Sequence, residues 1–321
     1  MVNKMLKGMV IKMRNQTKNS ILLLIAALIW GFAFVAQSSG GELIGPYTFN
    51  CIRNLIGSVV LIPIIYLFDK IGISKKPSTK AEIKKLILGG ITTGIALFFA
   101  SNLQQVGINL GTSAGKAGFL TACYILIVPV LGIFLNKKCP INVWFAVMAA
   151  LVGLYLLCKT DTLTLTFPDI LLLLCALVFS IQILCVDHFS ILVDPARLSC
   201  IEFLVCGICS SIPMLITEVG FTTDSINNWL ISLTIPTAWI SILYAGICSC
   251  GIAYTLQIFG QRNLNPTIAS LIMSLESVFS VLGGWLILNE KLSSRELIGC
   301  AIIFGSIIFS QIPAKPKSRR K

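Results

Sequence analysis

Ten apolar stretches of roughly twenty residues run the length of this chain, and they limit what it can fold into. A helix of about 20 apolar residues spans the ~30 Å hydrocarbon core of a bilayer. The stretches are Ser20–Ala36, Tyr47–Phe68, Leu86–Gly107, Thr112–Leu135, Ile141–Cys158, Phe167–Val186, Leu198–Ile216, Ala238–Gly260, Pro266–Leu288 and Leu297–Ile312. Only short loops and two basic tails, 1–19 and 314–321, are left over, so no separate soluble domain is expected. Of the 321 residues, 56% are hydrophobic and 12% charged, with a mean hydropathy of +0.89. A soluble domain carries about 25% charge because a hydrated surface needs it. That excludes a soluble enzyme, a disordered chain and a nucleic-acid binder.

The net charge of +12 has a simpler cause than a nucleic-acid partner. With the N-terminus inside, alternate loops place 20 Lys and Arg on the cytoplasmic side, and only Lys159, Lys291 and Arg295 outside. This positive-inside bias predicts a multi-pass protein of the bacterial inner membrane with both termini cytoplasmic. Arg53 and Lys116 are the two left over, within spans. The first span follows a basic segment and ends in Ala33-Phe34-Val35-Ala36, a loose cleavage-like site, but nine further spans favour a retained helix. The 12 cysteines fall in apolar runs, as in Cys206-Gly-Ile-Cys209, and with His188 the single histidine no zinc site, disulfide framework or other cofactor is expected.

The chain also repeats itself. An offset of 149 aligns Ala27-Leu28-Ile29-Trp30 with Ala176-Leu177-Val178-Phe179, Pro46 with Pro195, and Cys51-Ile52-Arg53 with Cys200-Ile201-Glu202, without a gap. Later the offset becomes 157, pairing Gly94-Ile95-Ala96 with Gly251-Ile252-Ala253, and then 154, pairing Asn109-Leu110 with Asn263-Leu264. The expected architecture is all-α: two five-helix repeats, 20–160 and 165–313. Five is odd, so the second repeat enters the membrane from the opposite face. Such inverted repeats are the architecture of secondary transporters, whose two halves exchange conformations around a central site.

Several short motifs recur in order along the spans: Leu28-Ile29-Trp30-Gly31, Arg53-Asn54, Thr112-Ser113-Ala114-Gly115-Lys116-Ala117-Gly118-Phe119-Leu120, Ser274-Leu275-Glu276-Ser277-Val278-Phe279 and Leu288-Asn289-Glu290-Lys291-Leu292. With this spacing the chain resembles the EamA-type branch of the drug/metabolite transporter superfamily over nearly its whole length. The resemblance implies a ten-helix carrier with a central cavity lined mainly by the first four helices of each half. The fifth and tenth would pack peripherally or at a homodimer interface. Members carry amino acids, nucleotide-related compounds, sugar-derived metabolites and drugs, so the family names no substrate. Two departures stand out. Ser277 replaces a common proline, so a weaker kink is expected beside Glu276, since serine keeps its backbone donor. Asn136-Lys137-Lys138 replaces a Gly-Glu-Arg-like turn.

Ionisable groups at membrane depth are costly and point to function or to a buried partner. Glu276, ten residues beyond Pro266, lies about 15 Å deep. Ser270, Ser274, Ser277 and Ser280 extend its polar sector. It would bind a substrate amine or a proton, or make a helix-helix hydrogen bond. Arg53, about 10 Å from the outside, shares a face with Asn50, Asn54 and Gly57 at i, i+3, i+4, i+7 spacing. It would hold a carboxylate or phosphate, or tie helices together. Lys116, about 6 Å in, either snorkels outward or meets a carboxylate in the cavity. Glu202 is the image of Arg53 in the second copy, about 10 Å from the inside. Cations in the outer half and carboxylates below them suit a zwitterion such as an amino acid; mutual neutralisation is the alternative.

Neutral candidates are Trp30 with Gln37, Asn102 with Gln105, Gln182, and Tyr254 with Gln257 and Gln261. A mostly apolar cavity with a few orienting polar groups is the usual small-ligand site. Gly89-Gly90 with Gly94, and Gly283-Gly284, suit close helix packing.

A membrane-embedded enzyme is disfavoured, because the chain has no HExxH and no Ser/His arrangement beyond His188. A channel would form an axial pore by subunit symmetry, and GxxxxGK[ST] is missing, so no ATP site is expected. The reading is an alternating-access carrier with a small-molecule substrate, exporting amino acids or related metabolites. A proton-linked carrier of drugs or nucleotide-related metabolites is the alternative.

Overall fold

The computed structural model describes residues 2–72, 74, 76–112, 114–137, 139–157, 166–262, 264–288 and 293–310, with the backbone alone for 2–15, 114, 157 and 288. Ser113, Lys138, Lys159, Asn263, the Asn289-Glu290-Lys291-Leu292 part of the closing motif and the tail 314–321 lie outside these residues. Among the described residues all regular structure is helical. The elements are α1 (Val2–Ile44), α2 (Pro46–Lys70), α3 (Lys80–Asn109), α4 (Ala114–Ala122), α5 (Tyr124–Phe134), α6 (Ile141–Leu157), α7 (Phe167–Phe189), α8 (Pro195–Pro213), α9 (Thr223–Ser232), α10 (Pro236–Leu243), α11 (Tyr254–Gln261), α12 (Pro266–Met273), α13 (Glu276–Leu288) and α14 (Ser294–Ser310). Two π-helical segments, Met214–Val219 and Tyr244–Ala253, continue α8 and join α10 to α11. Among the described residues, eight helical stretches, some of them joining consecutive elements, are long and apolar enough to cross a membrane. The expected fifth and tenth runs fall on α6 and α14, each 17 residues long.

Local chemistry sets the ends. Proline opens α2, α8, α10 and α12 at Pro46, Pro195, Pro236 and Pro266, where the missing N–H would have no helical partner. Thr79 and Glu82 close a capping box on α3, and Asp194 accepts from Arg197 N at 3.0 Å to cap α8. The first helix is longer than its expected span at both ends. The loop after the seventh span contains a helix the apolar pattern does not announce, α9.

Polarity is distributed inversely to that of a soluble protein. Val59, Ile62, Phe145, Ile208 and Ile240 point outward, while Asn50, Arg53, Gln105, Gln182 and Glu202 are buried. Hydrocarbon accepts the first set, and the second must find partners inside the bundle.

Packing partners recur when the halves are exchanged. α2 packs on α8, and α6 on α14. α1 lies against Tyr244–Ala253 and α11 as α7 lies against α3, and α1 meets α12 and α13 as α7 meets α4 and α5. A Cβ on Gly94 would sit 2.8 Å from the Glu202 carbonyl and 2.7 Å from Val205 Cβ; one on Gly246 would sit 3.1 Å from the Arg53 carbonyl and 2.9 Å from Ile56 Cβ. Glu202 and Val205 are Arg53 and Ile56 shifted by 149. The structure therefore pairs Gly94 with Gly246 rather than Gly251. The cause is the π-helical stretch, whose wider turns take up extra residues and move the alignment gradually.

Both halves interrupt their fourth apolar run. α4 and α5 part at Cys123, and α12 and α13 at Ser274 and Leu275. Beside Ser277 the helix is interrupted although serine keeps its backbone donor. Ser270, Ser274 and Ser280 donate their hydroxyls to the carbonyls three residues back, at 2.9, 2.7 and 2.9 Å, and this back-bonding tightens the turns around the break without proline. Ser277 instead donates to the Gly118 carbonyl at 2.9 Å and ties α13 to α4. In the departing turn after α5, Asn136 takes φ 55°, a left-handed conformation asparagine tolerates.

Helices approach closely at Gly31 of α1, where a Cβ would sit 2.3 Å from Phe279 Cβ and 2.7 Å from its carbonyl carbon. Gly31→Val is expected to lower stability by about 2 kcal/mol or more by overpacking. Gly305→Ala, with nothing within 4 Å of the new carbon, is expected to be neutral or stabilising. Thermal unfolding of the purified variants in detergent checks both.

Candidate functional site

A cavity of about 490 Å³, counting the part that opens to solvent, lies between the halves. α1 supplies Trp30, Phe34 and Gln37, spaced so that one helical face lines it; α7 supplies Phe179, Gln182 and Ile183. Trp30 with Phe179, and Phe34 with Ile183, are pairs at the offset of 149. Arg53 enters from α2, Gln104 from α3, Thr121 and Tyr124 from α4 and α5, and Ser249, Tyr254 and Gln257 from the π segment and α11. Met273 and Glu276 complete the wall at the break between α12 and α13. α6 and α14 line none of it. Apart from Trp30 and Tyr254, every polar lining residue is buried.

Arg53 and Glu276 both line this space, and no ion pair between them is present among the described residues. Arg53 is 5% exposed, its guanidinium carbon lies 5.5 Å from the Phe49 ring centroid, and its Nε has no hydrogen-bond partner. Among the described residues it makes no ion pair. Glu276 Oε1 accepts the Tyr124 hydroxyl at 3.0 Å. Tyr124 and Glu276 are the first residues of α5 and α13, so the bond joins equivalent points of the two interrupted spans. Trp30 and Tyr254 meet edge to face at 4.8 Å. An unpaired cation, a carboxylate held by a phenol, aromatic walls and several amides suit a small ligand carrying both charge and apolar surface.

Glu202 lies behind this wall. Gln182 Nε2 donates to Glu202 Oε1 at 2.8 Å, and Gln257 Nε2 reaches Gln182 Oε1 at 3.4 Å. Glu202 Oε2 has no partner. The carboxylate therefore communicates with the cavity through the Gln182 amide rather than by lining it.

The remaining polar candidates stand elsewhere. Asn50 Nδ2 donates to the Ser101 carbonyl at 2.9 Å and Asn102 Oδ1 at 3.1 Å; Asn102 Nδ2 donates to the Phe98 carbonyl at 2.8 Å and Ser210 Oγ at 2.9 Å. Asn54 Nδ2 donates to the Asn50 carbonyl at 2.7 Å. Gln105 Nε2 donates to the Gln37 carbonyl at 2.8 Å and Asn109 Oδ1 at 2.9 Å. These groups clamp α2, α3, α8 and α1 to one another, and none lines the cavity. Ser270, Ser274 and Ser280 bond their own helices, as described above. Lys116 Nζ pairs with Asp169 Oδ2 at 2.7 Å, joining α4 to the start of α7, where Asp169 also accepts from Thr166 N and Oγ1 at 2.8 Å.

Sequence reading missed Gln104, Thr121 and Tyr124. Choosing Asn102 and Gln105 as one face selects the clamp, and Gln104, just before Gln105, points about 100° away from it, into the cavity. Tyr124 sits in an unbroken apolar run, and nothing local marks it.

Asn50→Ala leaves Asn102 Oδ1 and the Ser101 carbonyl without this donor and is expected to cost about 1 to 2 kcal/mol. Arg53→Gln, one turn on, has no ion pair to lose and is expected to change ligand-free stability by less than about 0.5 kcal/mol. Unfolding midpoints measured side by side decide it; equal losses would mean that Arg53 holds the fold together.

The model of the EamA-like transporter family matches residues 17–158 and again 166–311. An uncharacterised transporter of Archaeoglobus fulgidus is 27% identical over 89% of this chain and 83% of its own length. The uncharacterised transporter YoaV of Bacillus subtilis is 23% identical over 90% and 97%. One solved crystal structure superposes with a TM-score of 0.71, covering 92% of this chain and 96% of that one at 17% identity, which speaks for the fold alone. Two matches of one family model, which together span most of the chain, and its apolar helices identify this multi-pass membrane protein as a transporter of the EamA-like family, within the drug/metabolite transporter superfamily.

Proposed function

We propose that this transporter works by alternating access and moves a small zwitterionic metabolite, an amino acid or a close relative, outward across the bacterial inner membrane. In this reading ten spans form two inverted five-helix repeats, with α6 and α14 as the fifth and tenth, and both termini are cytoplasmic. The observation that carries it is the cavity between the halves, lined by Arg53, whose Nε has no hydrogen-bond partner, and by Glu276. Arg53 would receive a carboxylate and Glu276 an ammonium, while Trp30, Phe34 and Phe179 cover apolar surface. Support for the inverted repeat comes from the exchangeable packing partners and from the matching breaks at Cys123 and Ser274. Support for the orientation comes from the Lys and Arg bias between alternate loops.

Glu276 bonded to a phenol is also a group that would carry a proton, which favours a proton-linked carrier as the second reading. Lys116, paired with Asp169, is given a structural part here.

Purified protein in proteoliposomes, offered labelled amino acids, nucleosides and cationic drugs with and without a pH gradient, tests both. Amino-acid transport that falls at least tenfold in Arg53→Gln supports the zwitterion reading. A pH response abolished in Glu276→Gln supports proton coupling. Transport of cationic drugs alone, unaffected by Arg53→Gln, would contradict the amino-acid assignment.

A further inference from the structure

α2 and α8 run antiparallel, and each ends in a carboxylate that reaches the first turn of the other. At one end Arg197 Nη2 donates to both oxygens of Asp69 at 2.7 Å, and Arg197 Nη1 donates to Ser74 Oγ at 3.1 Å. At the other, Glu218 Oε1 accepts Tyr47 N at 2.8 Å, and Glu218 Oε2 accepts Thr48 N and Thr48 Oγ1, both at 2.6 Å. The two contacts are images of each other in the sequence. A shift of 149, the one that takes Pro46 to Pro195, turns Asp69 into Glu218 and Thr48 into Arg197. Nothing in the alignment of the prolines requires this.

We infer that Asp69 and Glu218 are the gating residues of the transport cycle. The Asp69–Arg197 clasp closes the bundle at the end where the basic loops gather, the Glu218–Thr48 clasp closes it at the opposite end, and the two open one at a time. The inference rests on the alternating-access reading above.

The geometry between the clasps favours a rocking motion. Ser58 Oγ donates to the Cys200 carbonyl at 3.0 Å, and a Cβ on Gly207 would sit 2.8 Å from Leu55 Cδ2, so the helices touch between their ends. Parting at one end about this crossing leaves it intact, whereas parting at both ends breaks it. Each clasp lies at the end of its helix, within reach of water, where a released carboxylate is hydrated and the cost of opening stays small. The far-end clasp also needs Gly45: its φ is 88°, and a Cβ there would sit 2.6 Å from the Glu218 carboxyl carbon.

Hydrogen–deuterium exchange of the full chain in nanodiscs, without substrate, tests this directly. Asp69→Asn is expected to speed exchange in peptides covering 194–200 roughly tenfold and to leave 45–50 unchanged or slower. Glu218→Gln is expected to do the reverse. Should either variant fail to fold, Arg197→Lys loosens the first clasp and Gly45→Ala the second, with the same polarity. Loosening of both ends by each variant, or no change at either, overturns the proposal. Transport that persists while exchange lacks this polarity removes the clasps and keeps the carrier. Opposite exchange shifts with no alternation of cavity access keep the clasps and remove the carrier.

Discussion

Hydrocarbon offers no hydrogen bond, and the rest of this structure follows from that. Every backbone amide in the spans must be satisfied within its own helix, and every polar side chain must find a partner in the bundle or face water in a cavity. The buried asparagines and glutamines do the first: Asn50, Asn102 and Gln105 bind carbonyls or amides on neighbouring helices. Arg53 does the second: it lines the cavity, its guanidinium over the Phe49 ring and its Nε without a hydrogen-bond partner.

The same constraint shapes the interruptions. A helix break within the membrane is tolerable only where freed carbonyls find donors. The serines around Glu276 supply them from their own hydroxyls, and Ser277 does so for Gly118 across the interface. The break then places Glu276 at the first position of α13, against Tyr124 at the first position of α5. Breaks, cavity and carboxylate are thus one feature seen at three scales.

Much of the fold was legible because apolar length and proline position are local signals. Pro46 and Pro195 open helices at the offset that also pairs Trp30 with Phe179, and both rings line the cavity. The site was legible only in part. Arg53, Glu276, Trp30, Tyr254 and Gln257 line the cavity, while Asn50, Asn54, Asn102, Gln105, Ser270, Ser274, Ser280 and Lys116 do not, and Glu202 stands one amide behind it. Periodicity finds a polar face but does not say whether that face meets a cavity or another helix. The clamp of α2 on α3 and the cavity wall are adjacent faces of the same helices, and only packing tells them apart. The gradual drift of the repeat offset through the π-helical Tyr244–Ala253 was invisible for a related reason: its extra residues are absorbed in the turn geometry.

The central claim is that the cavity between the halves opens to each side of the membrane in turn. Trp30 lines that cavity and is one of five tryptophans, so its fluorescence is obtained as the difference between the native chain and Trp30→Phe. Protein reconstituted in one orientation, with iodide added outside or trapped inside the vesicles, reports access from each face. Quenching of the Trp30 signal from both faces is the result the carrier account requires. Quenching from one face only, or from neither, would contradict it.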